Sequence, residues 1–196
     1  MSRKTVVYTL VALFISSAGS LLQAAEGWIT DYEAAKKQAA KEGKDILMDF
    51  TGSDWCGWCI RLKKEVFSQE AFKKQAPKHF VLLELDFPRA KKLEAKLKAQ
   101  NEKLRGEFAI EGYPTIMLTD AGGKPYAKTG YQPGGPEKYI THLAEKRAAK
   151  TVRDESFAAA EKAKDDTEEG AKLLDKAFSM IEKEEGAEPK DDSPPS

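Results

Sequence analysis

The chain has 196 residues, 41% of them hydrophobic and 33% charged, and its 32 Lys and Arg are balanced by 32 Asp and Glu. That length suits one ordinary domain with appendages and is too short for two full ones. Charge balance without a basic stripe of interleaved aromatics gives no sign of a nucleic-acid partner, and 14 Gly, 9 Pro and 2 Cys exclude collagen-like and disulfide-scaffold chains.

At the N-terminus, Arg3 and Lys4 precede an apolar run, Val6–Ile15, and Leu22-Gln23-Ala24-Ala25 offers small residues for cleavage. These are the three parts of a secretory signal, so residues 1–25 are expected to be removed after Ala24 or Ala25. The rival reading is an uncleaved anchor, but a membrane helix wants about 20 strongly apolar residues, and the stretch from Thr5 to Leu22 is diluted by Thr, Ser and Gly. Loss of Arg3 and Lys4 takes two from the 32 basic residues and leaves the mature chain at about −2. Export into an oxidising or redox-controlled compartment follows, with a periplasm preferred over release to the medium and no stable membrane insertion after cleavage.

Past the signal, Thr30-Asp31-Tyr32-Glu33 fits a capping box with Thr30 as the N-cap, opening a helix over Asp31–Lys41 that Gly43 ends. Asp45–Thr51 (DILMDFT) reads as a strand with Asp49 as its odd member. Cys56–Lys64 turns helical, and a second helical piece covers Gln69–Gln75 before Pro77. Phe80–Asp86 (FVLLELD) is a buried strand, and Arg89–Phe108 is a long Lys-rich helix with Leu93, Leu97, Leu104 and Phe108 on or near one face. Thr115–Thr119 is a strand turned by Asp120-Ala121-Gly122-Gly123 into a fourth, Lys124–Lys128. Pro136–Lys150 is a helix with Pro near its first turn. Strands alternating with helices and then a hairpin predict an α/β domain over 26–150. Residues 151–183 continue as charged helix formers, a helical extension, and 184–196 as a disordered tail. Leu173, Leu174, Ala177, Phe178 and Ile181 form an apolar stripe that either packs on its own domain or makes a homodimer contact.

The two cysteines stand three positions apart in Trp55-Cys56-Gly57-Trp58-Cys59. As a structural staple the pair would close almost no loop. As a metal half-site it needs two further ligands, and only the remote His79 and His142 are on offer. Haem attachment needs a His after the second Cys, where Ile60 stands. Redox exchange remains. Following a strand and opening a helix, Cys56 would sit where free N–H groups and the helix dipole stabilise a thiolate. Cys59, one turn further and more buried, would resolve the mixed disulfide that Cys56 forms, with no metal or organic cofactor.

In combination, DILMDFTGSDWCGWC and GYPTIMLTDAGGK resemble the exported thioredoxin-like thiol–disulfide oxidoreductases, over about residues 28–149. The resemblance implies a thioredoxin fold, a central mixed sheet flanked by helices, carrying here a helical insertion over 89–108 and the charged C-terminal extension. It implies a cis-Pro114 facing the disulfide, Tyr113 pairing its backbone with an extended substrate segment, and Asp49 as the buried carboxylate that takes a proton from the second thiol. Gly130 matches the glycine near the end of the last strand. Trp55 would shape the site, with Gly57 beside it and an exposed Trp58 touching substrate. Substrates would be cysteine-containing proteins, and an unidentified redox partner would recharge the pair. The Gly-Trp between the cysteines and Ile60 in place of a common Lys depart from the family; the Trp-Cys-Gly start leans toward reduction or isomerisation. The insertion reads as a specificity or docking surface, or as a plain solvated helix. The alternative of a different class is a binding or chaperone module that docks a partner through the Tyr113–Pro114 groove, against which the intact cysteine pair argues.

Overall fold

The computed structural model describes residues 27–162 together with 168, 171 and 172; the signal segment, the apolar stripe at 173–181 and the tail at 184–196 lie outside the described residues. The elements in chain order are β1 (Trp28–Ile29), α1 (Tyr32–Glu42), β2 (Asp45–Thr51), α2 (Gly57–Leu62), α3 (Glu70–Gln75), β3 (Phe80–Asp86), α4 (Ala95–Glu107), β4 (Thr115–Thr119), β5 (Pro125–Thr129) and α5 (Gly135–Lys162). They form one mixed sheet in the order β1-β3-β2-β4-β5. β2 lies at its centre, parallel to β3 and antiparallel to β4.

The near-continuous apolar run of β2 follows from that position, because a central strand is covered on both faces. All seven of its residues are buried. Alternation divides them: Leu47 packs on one face with Leu62 of α2, Phe72 of α3 and Tyr139 and Leu143 of α5. Ile46, Met48 and Phe50 pack on the other with Ala35 and Ala39 of α1 and Leu104 of α4. Asp49 therefore shares the face of Leu47; burial, and after it the charge of Asp49, raise the pKa of the Tyr139 hydroxyl.

Several boundaries differ from expectation, each for a local reason. The N-cap of α1 is Asp31 rather than Thr30: Asp31 Oδ1 accepts the Ala34 N–H at 2.8 Å, while Glu33 pairs with Lys36 at 2.8 Å and is not free to close a capping box. β1, two residues long, shows no periodicity in sequence and exists through its pairing with Leu82 and Leu83 of β3. Past Leu62 the α2 helix continues as a π-helical turn over Lys63–Phe67, which turns Val66 and Phe67 into the core. α4 begins at Ala95, not Arg89, because the N–H groups of Arg89, Ala90 and Lys91 are taken by the Asp54 carboxylate.

α5 runs unbroken through Lys150 to Lys162. Its basic residues are not merely solvated. Asp45, 4% exposed at the start of β2, accepts from Arg147 Nε at 3.1 Å, Lys150 Nζ at 2.6 Å and the Tyr126 hydroxyl at 3.0 Å. Arg153, 3% exposed, donates to the Pro125 carbonyl at 2.6 Å. These contacts fasten α5 to β2 and β5 on both sides of Lys150. Among the described residues no helix is long and apolar enough to cross a membrane. Asp45→Ala, which strands two cations and a buried hydroxyl, is expected to lower unfolding stability by about 2 kcal/mol in urea denaturation. Lys150→Ala, removing one partly exposed partner, should lower it by less than about 1 kcal/mol.

Candidate active site

The end of β2 delivers the cysteines. After Thr51 the chain turns at once: the N–H groups of Trp55 and Cys56 both donate to the Gly52 carbonyl, at 3.2 and 2.9 Å. Gly52 admits nothing larger, since a Cβ there would lie 2.5 Å from the Trp55 ring. The turn makes Cys56 the N-cap of α2, in extended conformation at φ −85° and ψ 106°. Its Sγ takes the place of the usual capping oxygen and accepts the Cys59 N–H at 3.2 Å. Cys56 and Cys59 form a disulfide with their Cα atoms 5.2 Å apart. Cys59, 4% exposed, is slightly more buried than Cys56 at 7%. Gly57 and Ile60 are exposed beside them.

Aromatic side chains wall the pair. Trp55 donates from Nε1 to the Phe87 carbonyl at 2.8 Å and meets Tyr113 edge to face, 5.7 Å between ring centroids. Tyr113 in turn packs on Phe87 at 5.2 Å. Trp58 is half-buried rather than exposed, because Tyr131 lies 5.1 Å from its ring and the Arg61 guanidinium 5.3 Å. The Tyr113–Pro114 peptide is cis. Pro114 immediately precedes Thr115, the residue of β4 that pairs with Phe50 of β2, so it stands at the same end of the sheet as the cysteine turn. Gly130 gives it room: a Cβ there would approach the Pro114 carbonyl to 3.2 Å.

Behind the disulfide is a cleft of about 460 Å³ whose lining includes Cys59, Asp49, Lys63, Glu84, Ser53 and Gln69. The structure thus brings Asp49 and Cys59 together despite the extra residue between strand and cysteines. Asp49 is 6% exposed, and among the described residues its Oδ1 has no hydrogen-bond partner. Burial, then the neighbouring charge of Glu84, push its carboxyl well above the usual range; Lys63 opposes them and Asp86 adds to them. Glu84 is the register partner of Asp49 on β3 and lies 3.5 Å from Lys63 Nζ.

Glu84 and Lys63 did not stand out in the sequence. The available signal was that Asp49 and Glu84 are each the fifth residue of their strand, so parallel pairing in register sets the two acids side by side. His79 and His142 are elsewhere; the His142 ring is bonded to Thr129 Oγ1 at 2.8 Å. Among the described residues no group of three His, Cys, Asp or Glu could hold a metal ion.

This geometry has relatives. A family model described as a thioredoxin-like domain matches residues 32–146. The disulfide bond reductase DsbH of Chlamydia pneumoniae is 33% identical over 112 residues, covering 57% of this chain and 68% of that protein. The thioredoxin-related protein DsbJ of Chlamydia pneumoniae is 29% identical over 116 residues, 56% of this chain and 33% of that one. A solved structure of a DsbH oxidoreductase superposes with a TM-score of 0.59 at 28% identity, covering 74% of this chain and 94% of the other. With its cysteine turn at the end of a central strand and more than half its length matched, the chain belongs to the thioredoxin-like family.

Proposed function

We propose that this protein is an exported thiol–disulfide oxidoreductase that reduces disulfides in cysteine-containing proteins, with Cys56 as nucleophile and Cys59 as resolving thiol. The observation that carries the reading is the pair's placement: Cys56 Sγ caps α2 and accepts the Cys59 N–H, while Cys59 shares a cleft with a buried carboxyl. A hydrogen bond and helix N–H groups aimed at a sulfur favour its thiolate form.

In the reduced protein the Cys56 thiolate attacks one sulfur of a substrate disulfide. A Cys56–substrate bond forms, the substrate S–S bond breaks, and the other substrate sulfur leaves as a thiolate. Cys59 must then lose its proton. Ionised Asp49 accepts it, and the Cys59 thiolate attacks Cys56 Sγ, releasing the second substrate sulfur and restoring the disulfide present in this structure. Two electrons pass to the substrate, so a thiol-bearing redox partner must return two to the protein. The raised pKa of Asp49 suits this task, because its ionised form is a stronger base than an ordinary solvated carboxylate.

Tyr113 and Pro114, at the cysteine end of the sheet, are the place for an extended substrate segment, with Trp55, Gly57 and Trp58 forming the surface around the cysteines. The reductase name of the DsbH relative supports reduction as the direction. The basic and apolar parts of residues 1–25 support export, with a periplasm as destination.

Cys56→Ser is expected to reduce insulin disulfides no faster than the background of the thiol used to recharge it; activity near wild type would contradict the mechanism. Cys59→Ser should keep the first attack and accumulate a covalent adduct with its substrate, visible by mass spectrometry without reductant. Asp49→Asn should slow the second exchange by on the order of tenfold to a hundredfold at neutral pH. It also carries a stability signature in the oxidised protein. Because the folded-state pKa of Asp49 is raised, the native state holds a proton that the unfolded chain has lost, and stability falls as pH rises from about 4 through the folded value. Asp49→Asn should therefore be more stable than wild type above that range, with the gap closing by about pH 3. Urea midpoints measured across pH would show this; a gap independent of pH would contradict it.

A further inference from the structure

The loop between β3 and α4 is tied to the active site rather than to the core. Asp54, two residues before Cys56, accepts the backbone N–H groups of Arg89 at 2.9 Å, Ala90 at 2.8 Å and Lys91 at 3.2 Å. Trp55 holds the same loop through the Phe87 carbonyl at 2.8 Å. With the backbone fixed at both points, the Arg89 guanidinium lies over the Trp55 ring, 3.8 Å from its centroid. The residue next to the nucleophile thus carries an exposed cation on its face.

Three acids beside the cysteine turn are already committed. Asp54 serves the three loop N–H groups. Asp86 accepts the Ser53 N–H and hydroxyl at 2.9 and 2.6 Å. Glu65 is held by Arg61 at 2.8 Å and the Tyr131 hydroxyl at 2.6 Å. By contrast Arg89, Lys91 and Lys92 are exposed, and among the described residues no carboxylate pairs with their side chains. Glu94 is the one acid between 87 and 94.

We propose that Arg89, supported by Lys91 and Lys92, selects protein substrates whose disulfide is flanked by acidic residues. The inference rests on the oxidoreductase reading above and adds the class of polypeptide. A guanidinium held over an indole face can still offer N–H groups to a bidentate carboxylate, and the cation–π contact holds it in place before the substrate arrives. A substrate carboxylate meeting Arg89 sets its neighbouring cystine beside Cys56, and the uncompensated positive charge of the loop steers such segments toward the site.

The test uses three cystine peptides of equal length whose disulfide is flanked by Glu, Gln or Lys, each reduced in a single turnover by the reduced full chain. Wild type should reduce the Glu peptide about three- to tenfold faster than the Gln peptide at low salt and the Lys peptide slowest, with the preference shrinking at high salt. The readout is the ratio of Glu to Gln rates within each variant. Arg89→Gln should bring it to within about twofold of one, and Arg89→Lys should keep part of it, because the charge remains without the planar fork. A ratio near one in wild type, or an unchanged ratio in Arg89→Gln, overturns the inference and leaves the oxidoreductase reading standing. Failure to reduce any of the three peptides overturns that reading, and this inference with it.

Discussion

Burying the Asp49 carboxyl in the central strand is unfavourable by itself, since desolvation opposes its charge and one of its oxygens lacks a partner among the described residues. The strand tolerates it because its neighbours Ile46, Leu47, Met48 and Phe50 are fully buried and covered on both faces. That strand also ends at the Gly52 turn, so the element that holds the carboxyl inside delivers Cys56 to the N-terminus of α2. Sheet packing, the raised pKa and the position of Cys56 are consequences of one buried strand.

The cleft behind the disulfide bears on the direction of electron flow. Strong disulfide donors are those whose reduced form is stabilised. Here the groups lining the cleft beside Cys59 include two acids, Asp49 and Glu84, and two lysines, Lys63 and Lys64, of which Lys63 lies against Glu84. The proposed reduction of substrate requires that the two acids outweigh the lysines and leave a thiolate on the Cys59 side with little support, so that the disulfide form is favoured.

Much of this was legible in the sequence where one local rule dominates. The apolar runs of β2, β3 and β4 stand out because a central sheet excludes water from both faces, and the spacing of Cys56 and Cys59 excludes a useful staple on loop length alone. The cis peptide at Pro114 came from the family resemblance rather than from any pattern in the residues. What stayed hidden depends on partners distant in the chain. Nothing in the sequence sets Arg147, Lys150 and Arg153 apart from the other charged residues of their helix until Asp45 and the Pro125 carbonyl are found against them. The start of α4 moved because Asp54 captures its would-be first turn, and Trp58 is half-buried because Tyr131 folds back onto it. Glu84 gains meaning only from the register that sets it beside Asp49.

The reduction potential of the Cys56–Cys59 pair tests the central claim most directly. The pair is equilibrated against dithiothreitol, with the fluorescence of Trp55 and Trp58 reporting its state. The account predicts a value in the reductant range, near about −270 mV, so that the protein hands electrons to substrate disulfides. A value near about −120 mV would make the pair a disulfide donor and contradict the direction assigned to it.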